Sequence, residues 1–259
     1  MKIATWNVNS LRVRLPQVLD WLAANPVEAL CLQETKQEDS AFPHAELAAA
    51  GYRSVHAGQK TYNGVAILAR GELRDVSRGI AGFDDPQQRL IAATLDTAHG
   101  PLRLVCTYFP NGQEVGSDKY GYKLRWMSAL TDSLRQELAH SDKLVLVGDF
   151  NIAPDDRDVH DPAAWKDKIL CSVPERSAFQ QLLGLGLNDA FRLFEQPEKS
   201  FSWWDYRMMG FRRNLGLRID HILLSHSLKG HCVGCQVDKT PRRLERPSDH
   251  APVVVELTL

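Results

Sequence analysis

The chain has 259 residues, of which 44% are hydrophobic, and this is enough to build one sizeable core. Its 31 basic and 32 acidic residues give a net charge of −1, which excludes a protein-wide positive field for nucleic acid, so any contact with a polyanion must be local. Five cysteines without regular spacing, no long apolar run and no signal-peptide pattern predict a cytoplasmic protein with no membrane partner. We expect a single domain over residues 1–259.

Short apolar runs bounded by Gly, Pro, Asn or Asp predict strands along the whole chain. They are KIATW, ALCLQ, GVAILA, LIAATL, LRLVCTYF, KLVLVG, RIDHILLS, CQVD and APVVVEL. Two amphipathic helices are predicted between them, one from Leu15 to Leu22 with Pro16 in its first turn and one from Leu124 to Leu138. Because strands outnumber helices and do not alternate with them, we predict an α/β fold of two mixed sheets covered by helices.

Polar side chains follow many of these strands. Asp149 and Asn151 come directly after KLVLVG, and one such end alone is more often a turn than a site. The pattern recurs at other strands, which supply Asn7, Asn9, Gln33, Glu34, Tyr108, Asn111, Asp220, Asp249 and His250. Because strand ends of an α/β sandwich meet at one edge of the sheets, we expect these groups to line a single cleft.

The acids of this set suit a hard divalent cation such as Mg²⁺, which prefers oxygen ligands. Glu34 is the first ligand predicted, although a solvated acid at a loop start has the same appearance. Asp249 is a second possible ligand. Asp220 could hold His250 and raise its pKa, and a purely structural His–Asp hydrogen bond remains the alternative.

The same residues meet the needs of phosphodiester hydrolysis, which are a positioned water and neutralised phosphate oxygens. In this hypothesis Asp149 orients or deprotonates the water, while Asn151 and Asn7 donate hydrogen bonds to water or phosphate. Tyr108 and His250 donate to phosphate oxygens, and the metal offsets the charge on the leaving oxygen.

Two other patterns predict less. Cys232 and Cys235 form a CxxC beside His231, but a structural zinc site needs four ligands and no second pair is suitably spaced. Ser248 with the same histidine and aspartate could suggest a serine hydrolase, yet the chain contains no G-x-S-x-G elbow.

Eight segments, in one order across residues 2 to 257, resemble the exonuclease III family of DNA repair nucleases. They are TWNVNSLR, LCLQETK, YNGVAIL, YFPNG, GDFNIAP, FSWWDYR, GLRIDHIL and SDHAPV. This family belongs to the wider endonuclease/exonuclease/phosphatase superfamily, which also contains lipid and inositol phosphatases. The LQETK, YFPNG and WWDYR segments favour the DNA-repair branch.

The resemblance implies a four-layered α/β sandwich, two sheets packed face to face between helices, that uses Mg²⁺, for which Mn²⁺ can substitute. It implies a monomer that binds duplex DNA, cuts 5′ to abasic sites and removes 3′ blocking groups or nucleotides. Site residues carried over from the family are the metal group Glu34, Asn7, Asp249, Asp149 and Asn151, the catalytic group Tyr108, Asp149, Asn151, Asn7, His250 and Asp220, and the sugar pocket Trp203, Leu217 and Ile219.

Residues beside these motifs are predicted to contact DNA without reading its sequence. The candidates are Arg12, Lys36, Tyr62, Asn111 and Arg207, with Arg14, Lys119, Lys123, Arg125, Arg212 and Arg213 as further basic groups. Substrate contacts are also sought in two irregular stretches, Asp155 to Pro174 and Tyr206 to Gly216. A phosphatase or phospholipase of the same superfamily, or a catalytically silent module that binds damaged DNA, remains the alternative.

Overall fold

The structure, a computed structural model, describes Met1–Leu259. The strands are β1 (Lys2–Asn7), β2 (Ala29–Gln33), β3 (Arg53–Ala57), β4 (Val65–Ala69), β5 (Leu73–Arg78), β6 (Leu90–Thr97), β7 (Gly100–Tyr108), β8 (Leu144–Asp149), β9 (Asn188–Asp189), β10 (Trp203–Trp204), β11 (Gly216–Leu217), β12 (Asp220–Leu224), β13 (Cys232–Val237) and β14 (Val253–Leu257). The helices are α1 (Leu11–Ala24), α2 (His44–Ala49), α3 (Asp118–His140), α4 (Pro162–Trp165), α5 (Val173–Gly184) and α6 (His226–Lys229).

Two mixed sheets form the centre of the molecule. The first is 6-stranded with the order β13-β14-β1-β2-β4-β3, and the second is 6-stranded with the order β5-β6-β7-β8-β12-β9. Only β1 with β2 and β7 with β8 are parallel neighbours, and all other pairs in these sheets are antiparallel. Strands β10 and β11 form a separate two-stranded ribbon.

The main core lies between the two sheets. Ile3, Cys31 and Ile67 of the first sheet pack in one buried cluster with Cys106 and Val147 of the second. Alternate residues of the same strands point to the outer faces, where helices cover them. Both faces of each sheet are therefore buried, which explains why the central strands read as continuous apolar runs.

Helices cover the two outer faces. On the first sheet, α1 contributes Leu11, Val18, Trp21 and Leu22 to a buried cluster. On the second, α3 and α5 contribute Trp126, Met127, Leu130, Leu134, Phe179 and Leu182. The order helix, sheet, sheet, helix confirms the predicted four-layered sandwich. None of the helices has both the length and the apolar character needed to cross a bilayer.

Helix α1 begins a turn earlier than predicted. Leu11 is its first residue, so Pro16 lies inside the helix and not in its first turn. The earlier start adds the fully buried Leu11 to the apolar face, and the Leu11 amide donates to the Thr35 carbonyl at 3.1 Å. The Ser10 amide likewise donates to the Glu34 carbonyl at 2.7 Å. The helix start is thus tied to the loop that follows β2.

All nine apolar runs form strands, but five strands and four helices were not predicted, namely β3, β5, β9, β10, β11, α2, α4, α5 and α6. Strands β3 and β5 are sheet edges with the polar sequences RSVHA and LRDVSR, which lack a strong apolar pattern. Helix α5 begins at Val173, inside the stretch predicted to be irregular, and a capping box between Ser172 and Glu175 starts it. Asp220, which the predicted run RIDHILLS places inside a strand, is the first residue of β12.

Candidate active site

The polar strand ends meet at one edge of the two sheets. Because β7 and β8 run parallel, Tyr108 at the end of β7 lies opposite Asp149 at the end of β8. Strand β12 is antiparallel to β8, so its first residue, Asp220, flanks Asp149 on the other side. In the first sheet, Asn7 ends β1 beside the end of β2, and Glu34 follows β2 directly. The fold therefore gathers side chains that the sequence predicted to share one cleft.

Asn7 joins the acids of the two sheets. Its Nδ2 donates to Glu34 Oε1 at 2.9 Å and to Asp149 Oδ2 at 2.9 Å. Its Oδ1 accepts from the Asn9 amide at 2.9 Å, which fixes the orientation of the side chain. One buried amide thus uses both of its hydrogens to hold two carboxylates side by side.

Three side chains form a group that could hold a metal ion. Ligand atoms of Glu34, Asp149 and His250 all lie within 4.8 Å of one another. Burial raises the pKa of Asp149 to about 7, against a lowering effect of His250 and with a further increase from Asp220. A cation between the two carboxylates of the group would relieve this cost, and carboxylate oxygens suit a hard ion. The carboxylates of Glu34 and Asp149 therefore fit a divalent metal.

His250 is held by Asp220 and faces Asp149. Its Nδ1 lies 3.0 and 2.9 Å from the two oxygens of Asp220, and its Nε2 lies 3.7 Å from Asp149 Oδ2. Burial alone would lower the pKa of His250, but the Asp220 and Asp149 carboxylates outweigh it and raise the pKa to about 10. The ring is therefore a cation that donates from Nδ1 to Asp220 and presents Nε2–H to the site.

Asn151 braces the carboxylate of Asp149. Its backbone amide donates to Asp149 Oδ1 at 2.9 Å, and its Nδ2 donates to the Phe109 carbonyl at 3.0 Å and to Asp149 Oδ2 at 3.4 Å. Asn111 Nδ2 donates to Asn151 Oδ1 at 3.1 Å. Asn151 has a φ of 50°, the left-handed conformation that asparagine tolerates better than most residues. The Asp/Asn pair predicted from the sequence is thus one hydrogen-bonded unit.

Tyr108 remains a neutral donor. Burial, followed by the charges of Glu34 and Asp149, raises the pKa of its phenol well above the ordinary value. The Arg89 guanidinium lies 4.8 Å from the centre of the ring and donates to the Tyr108 carbonyl at 3.2 Å. The sequence analysis missed Arg89, because a single arginine before a strand carries no signal.

Asp249 lies beside this group without belonging to it. Its Oδ1 accepts from Asn9 Nδ2 at 3.0 Å, and its Oδ2 accepts from Trp203 Nε1 at 2.9 Å. Burial would raise the pKa of Asp249, but His250 and these two donors outweigh it and lower the pKa, so the side chain is ionised. The acid joins the loop after β1 to the Trp203 ribbon, and its metal-binding role stays a prediction.

The predicted sugar-pocket residues form an apolar wall next to the histidine. Trp203 pairs with Leu217 in the ribbon, and its ring centre lies 6.5 Å from that of His250. Leu217 and Ile219 are buried behind it. The other members of this apolar cluster are Ala153, Val159, Leu170 and Cys171. One face of the wall, the partly exposed Trp203 ring, is open to a ligand.

The side chains predicted to contact DNA differ in solvent exposure and in whether they already pair with other residues. Arg12, Tyr62, Asn111 and Arg207 are exposed, although Arg207 also pairs with the neighbouring Asp205. Lys36 is occupied at the site itself. Its Nζ donates to Glu34 Oε2 at 2.8 Å and to Asn9 Oδ1 at 2.6 Å.

A groove next to the site contains two of these predicted contacts. Tyr62 and Asn111 line it together with Tyr108, Arg89 and Lys119, and its volume is about 560 Å³. Tyr62 is 67% exposed, so its ring has no packing role. The groove extends the site toward the loop before α3.

The prediction that Lys123 grips phosphate is wrong. Its side chain has no exposed surface, and its ammonium pairs with Glu175 of α5. Trp204 is also fully buried, so its side chain packs within the fold. A lysine near the start of a surface helix is normally solvated, so the burial of Lys123 was not predictable from its position in the sequence.

The loop after Trp204 carries exposed apolar residues that the sequence analysis did not single out. Met208 and Met209 are 73% and 62% exposed, and both have left-handed backbones. Tyr206 anchors the loop by donating to the Pro247 carbonyl at 2.7 Å. Pro247 lies just before His250, so this loop borders the site.

Comparisons with known proteins agree with this arrangement. A family model described as the Endonuclease/Exonuclease/phosphatase family matches residues 4–250. Exodeoxyribonuclease III of Haemophilus influenzae is 37% identical over 265 residues, which cover 99% of this chain and 99% of that protein. A solved 3′ phosphatase from Neisseria, bound to a product DNA hairpin, is 49% identical with a TM-score of 0.97 and 100% coverage of both chains. An AP endonuclease from Archaeoglobus fulgidus is 39% identical with a TM-score of 0.94, again with 100% coverage of both.

Proposed function

Because the chain belongs to the Endonuclease/Exonuclease/phosphatase family, we propose that it is a magnesium-dependent phosphodiesterase that acts on abasic sites and 3′ ends of duplex DNA. The chain is a hydrolytic nuclease of the DNA-repair class, like its exodeoxyribonuclease III and 3′ phosphatase relatives. The resemblance seen in the sequence is thereby confirmed. The observation that carries the proposal is the convergence of Glu34, Asp149 and His250 within 4.8 Å of one another.

The acid and amide side chains prepare the attacking water. Asp149 is held by Asn7 and by the Asn151 amide, which leaves little freedom for its carboxylate to rotate. Asp149 is placed to accept a proton from the attacking water, and a metal bound beside it would lower its pKa from the value of about 7 that burial gives. We assign to Asn151 and Asn7 the orientation of this carboxylate and of the water.

The cationic and phenolic donors receive the phosphate. His250 presents Nε2–H beside Asp149, and the neutral Tyr108 presents its hydroxyl from the next strand. Both are fixed before substrate arrives, His250 by Asp220 and Tyr108 by its place in the sheet. Preorganised donors of this kind stabilise the negative charge that develops on the phosphate oxygens.

Glu34 and Asp149 would hold the metal, for which we propose Mg²⁺ with Mn²⁺ as a substitute. When bound, the ion supplies charge compensation for the leaving oxygen. Lys36 now neutralises one oxygen of Glu34. Because Lys36 also contacts Asn9, it can keep that partner when Glu34 turns to a metal.

DNA would bind across the open edge of the sheets. The Trp203 ring offers a flat apolar surface for a deoxyribose next to the scissile phosphate, with Leu217 and Ile219 supporting it. We propose that Arg12, Lys36, Tyr62, Asn111 and Arg207 contact the backbone. The exposed Met208 and Met209 add an apolar edge that can insert between bases, as in other proteins that bend DNA.

We further propose that residues 1–259 act as one domain and as a monomer. The supporting observation is that one chain supplies every residue of the site, from Asn7 in the first strand to His250 before the last. Both sheets contribute, so neither half of the chain holds the site alone.

The test compares three labelled duplexes, one with an abasic analogue, one with a recessed 3′ end and one with a 3′ phosphate. Each is incubated with Mg²⁺ and then with chelator, and we expect cleavage or phosphate release that chelator stops. Glu34→Gln should need about tenfold more Mg²⁺ for half-maximal rate, because a ligand is weakened. Hydrolysis of a small phosphoester but of no DNA would favour a superfamily phosphatase. Binding without turnover on all three duplexes would favour a silent module.

A further inference from the structure

Lys123 of α3 is a buried cation whose three hydrogen-bond donors are all used within the protein. Its Nζ donates to the backbone carbonyl of Asn151 at 2.7 Å, to the backbone carbonyl of Asn111 at 3.2 Å, and to Glu175. Lysine has three N–H groups and no acceptor, so no donor remains for DNA or water. Two of the three partners are backbone atoms of residues in the candidate site.

The loop after β7 packs closely against the Lys123 side chain at Gly112. Gly112 has a φ of 91°, and a Cβ there would lie 3.1 Å from Lys123 Cδ and 2.9 Å from Ile169 Cδ1. Only glycine allows the loop after β7 to approach the lysine stem so closely. The loop that carries Asn111 is therefore built around Lys123.

Glu175 extends the same network to a third loop. Its Oε1 accepts from the Leu170 amide at 3.1 Å, and its Oε2 accepts from the Ser172 amide at 3.1 Å and from Ser172 Oγ at 2.6 Å. The pair thus ties α3 and α5 to the loops at Asn111, Asn151 and Leu170. All three loops border the Asp149 carboxylate or the apolar wall.

Stability alone does not explain a fully buried ion pair at this place. Removing two charges from water costs free energy that their attraction only partly returns, and apolar residues of similar size are often as stable. Helices α3 and α5 already pack through Trp126 and Phe179 with Phe150 in one apolar cluster. Unlike apolar packing, the ion pair places the N–H donors of Lys123 against the carbonyls of Asn111 and Asn151.

The carbonyls that Lys123 holds belong to the residues that brace Asp149. The Asn111 side chain donates to Asn151 Oδ1, and Asn151 donates from its backbone and side chain to both oxygens of Asp149. If the carbonyl of Asn111 or Asn151 lost its hydrogen bond to Lys123, the peptide group could rotate. The side-chain amide of the same residue would then move. The position of the Asp149 carboxylate therefore depends on the lysine that lies below it.

We propose that Lys123 is a positioning residue for phosphodiester hydrolysis, which holds the Asn111 and Asn151 peptides so that their side chains keep Asp149 aimed at the phosphate. This inference rests on the function proposed above, which gives Asp149 its role. Lys123 acts through these two residues and touches no substrate. Its effect therefore falls on turnover and not on DNA affinity.

The test replaces the buried pair by a neutral one, Lys123→Met with Glu175→Gln. This avoids the unpaired charge that either single change leaves, so we expect a melting temperature within about 5 °C of the parent. On the 3′-phosphate duplex kcat should fall by about 10- to 100-fold, since small displacements of catalytic groups have such effects. KM and the Kd for DNA should change by less than about threefold.

The matched control is a second ion pair on the same helix. Arg103 of β7 pairs with Glu137 near the far end of α3 at 2.9 Å, and neither residue contacts the site. Arg103→Met with Glu137→Gln should alter stability and leave kcat unchanged. A parental kcat in the Lys123→Met/Glu175→Gln protein, or a loss that appears only in KM, would overturn the proposal.

A readout that does not need activity separates this inference from the proposed function. The side-chain amide NMR signals of Asn111 and Asn151 should shift in the Lys123→Met/Glu175→Gln protein and stay in place in the control. If the parent cleaves no DNA, the proposed function fails, and the signals still show whether Lys123 positions the two amides. Unchanged signals would sink the inference whatever the activity.

Discussion

Two buried clusters of charged side chains lie on either side of the start of β12, and they differ in charge balance. The catalytic cluster contains Asp220, Asp149 and Glu34, with His250 as its buried cation. The other contains Arg218, whose guanidinium donates to Asp158 at 2.7 Å and to Asp189 at 2.8 Å, with Arg192 also bound to Asp158. The second cluster pairs two arginines with two aspartates.

The balance of positive and negative charge around each acid determines the pKa of the buried Asp189 and Asp149. Burial would raise the pKa of Asp189, but the Arg218 guanidinium outweighs it and holds the pKa below the usual value. Burial dominates at Asp149 and raises its pKa to about 7. A buried acid whose charge is balanced by arginines, such as Asp189, stabilises the fold. A buried acid with too little positive charge around it, such as Asp149, can bind a cation or accept a proton.

The largest effect is expected from Asp149→Asn. The change keeps the shape and removes the acceptor of the water proton, so kcat on the 3′-phosphate duplex should fall by about 10²- to 10⁴-fold. The melting temperature should not fall, because a costly buried charge is removed. The matched change in the Arg218 cluster is Asp189→Asn. It should lower the melting temperature and leave kcat unchanged. Cleavage by Asp149→Asn at the parental rate would refute the role of this acid.

Next in size is Arg218→Met. It leaves Asp158 and Asp189 buried with too little positive charge, which costs about 3–5 kcal/mol of unfolding free energy. Urea unfolding measures this loss, and the kcat of the folded protein should fall far less than in Asp149→Asn. An unchanged unfolding free energy would show that the cluster does not stabilise the fold.

Asp220→Asn should have a smaller effect, through His250. The leading contribution that raises the pKa of His250 is the charge of Asp220, so the pKa should move down from about 10. An NMR titration of the ring follows this directly. The rate should fall by about 10²-fold, because the His250 ring is no longer held in one orientation. The lower pKa also means that the ring loses its proton at a lower pH than in the parent. A His250 pKa that does not move would contradict the proposed pairing.

The smallest effect concerns the pH dependence of stability through His221. Its Nδ1 accepts from Arg218 at 3.0 Å and its Nε2 donates to the Ile152 carbonyl at 2.9 Å, an arrangement that requires the neutral ring. Burial, then Arg218, lowers the pKa of His221 from 6.5 to about 4. The unfolded chain therefore takes up a proton first as the pH falls, so stability is lost between about pH 6.5 and 4.

His221→Gln tests this dependence. Between pH 7 and 4.5 the unfolding free energy of the parent should fall by about 2 kcal/mol more than that of the variant. His56, whose pKa is also lowered to about 4 by burial, contributes equally to both proteins and does not affect the difference. Parallel stability curves would contradict the assignment.

The central strands and the catalytic residues could be predicted because local signals mark them. Strands buried on both faces read as apolar runs, and the polar groups at their ends stand out against them. The convergence of Glu34, Asp149 and His250 then followed from the rule that strand ends share an edge. Edge strands such as β3 and β5 have polar faces and no such contrast.

Features that depend on pairing across the fold were not predictable. Lys123 and Glu175 are 52 positions apart, and each alone reads as a solvated charge. The capping box at Ser172 was a usable local signal for α5 that the sequence analysis did not apply. The hydrogen bonds that Asp249 accepts from Asn9 and Trp203 also arise only in three dimensions.

The most direct test of the single hydrolytic site is a crystal structure of the parent protein with Mn²⁺ and a duplex that carries a non-hydrolysable phosphonate in place of the 3′ phosphate. The account predicts an anomalous Mn²⁺ peak at Glu34 and the phosphonate within hydrogen-bond distance of His250 Nε2 and the Tyr108 hydroxyl. A phosphonate bound elsewhere, with no metal at Glu34, would contradict it.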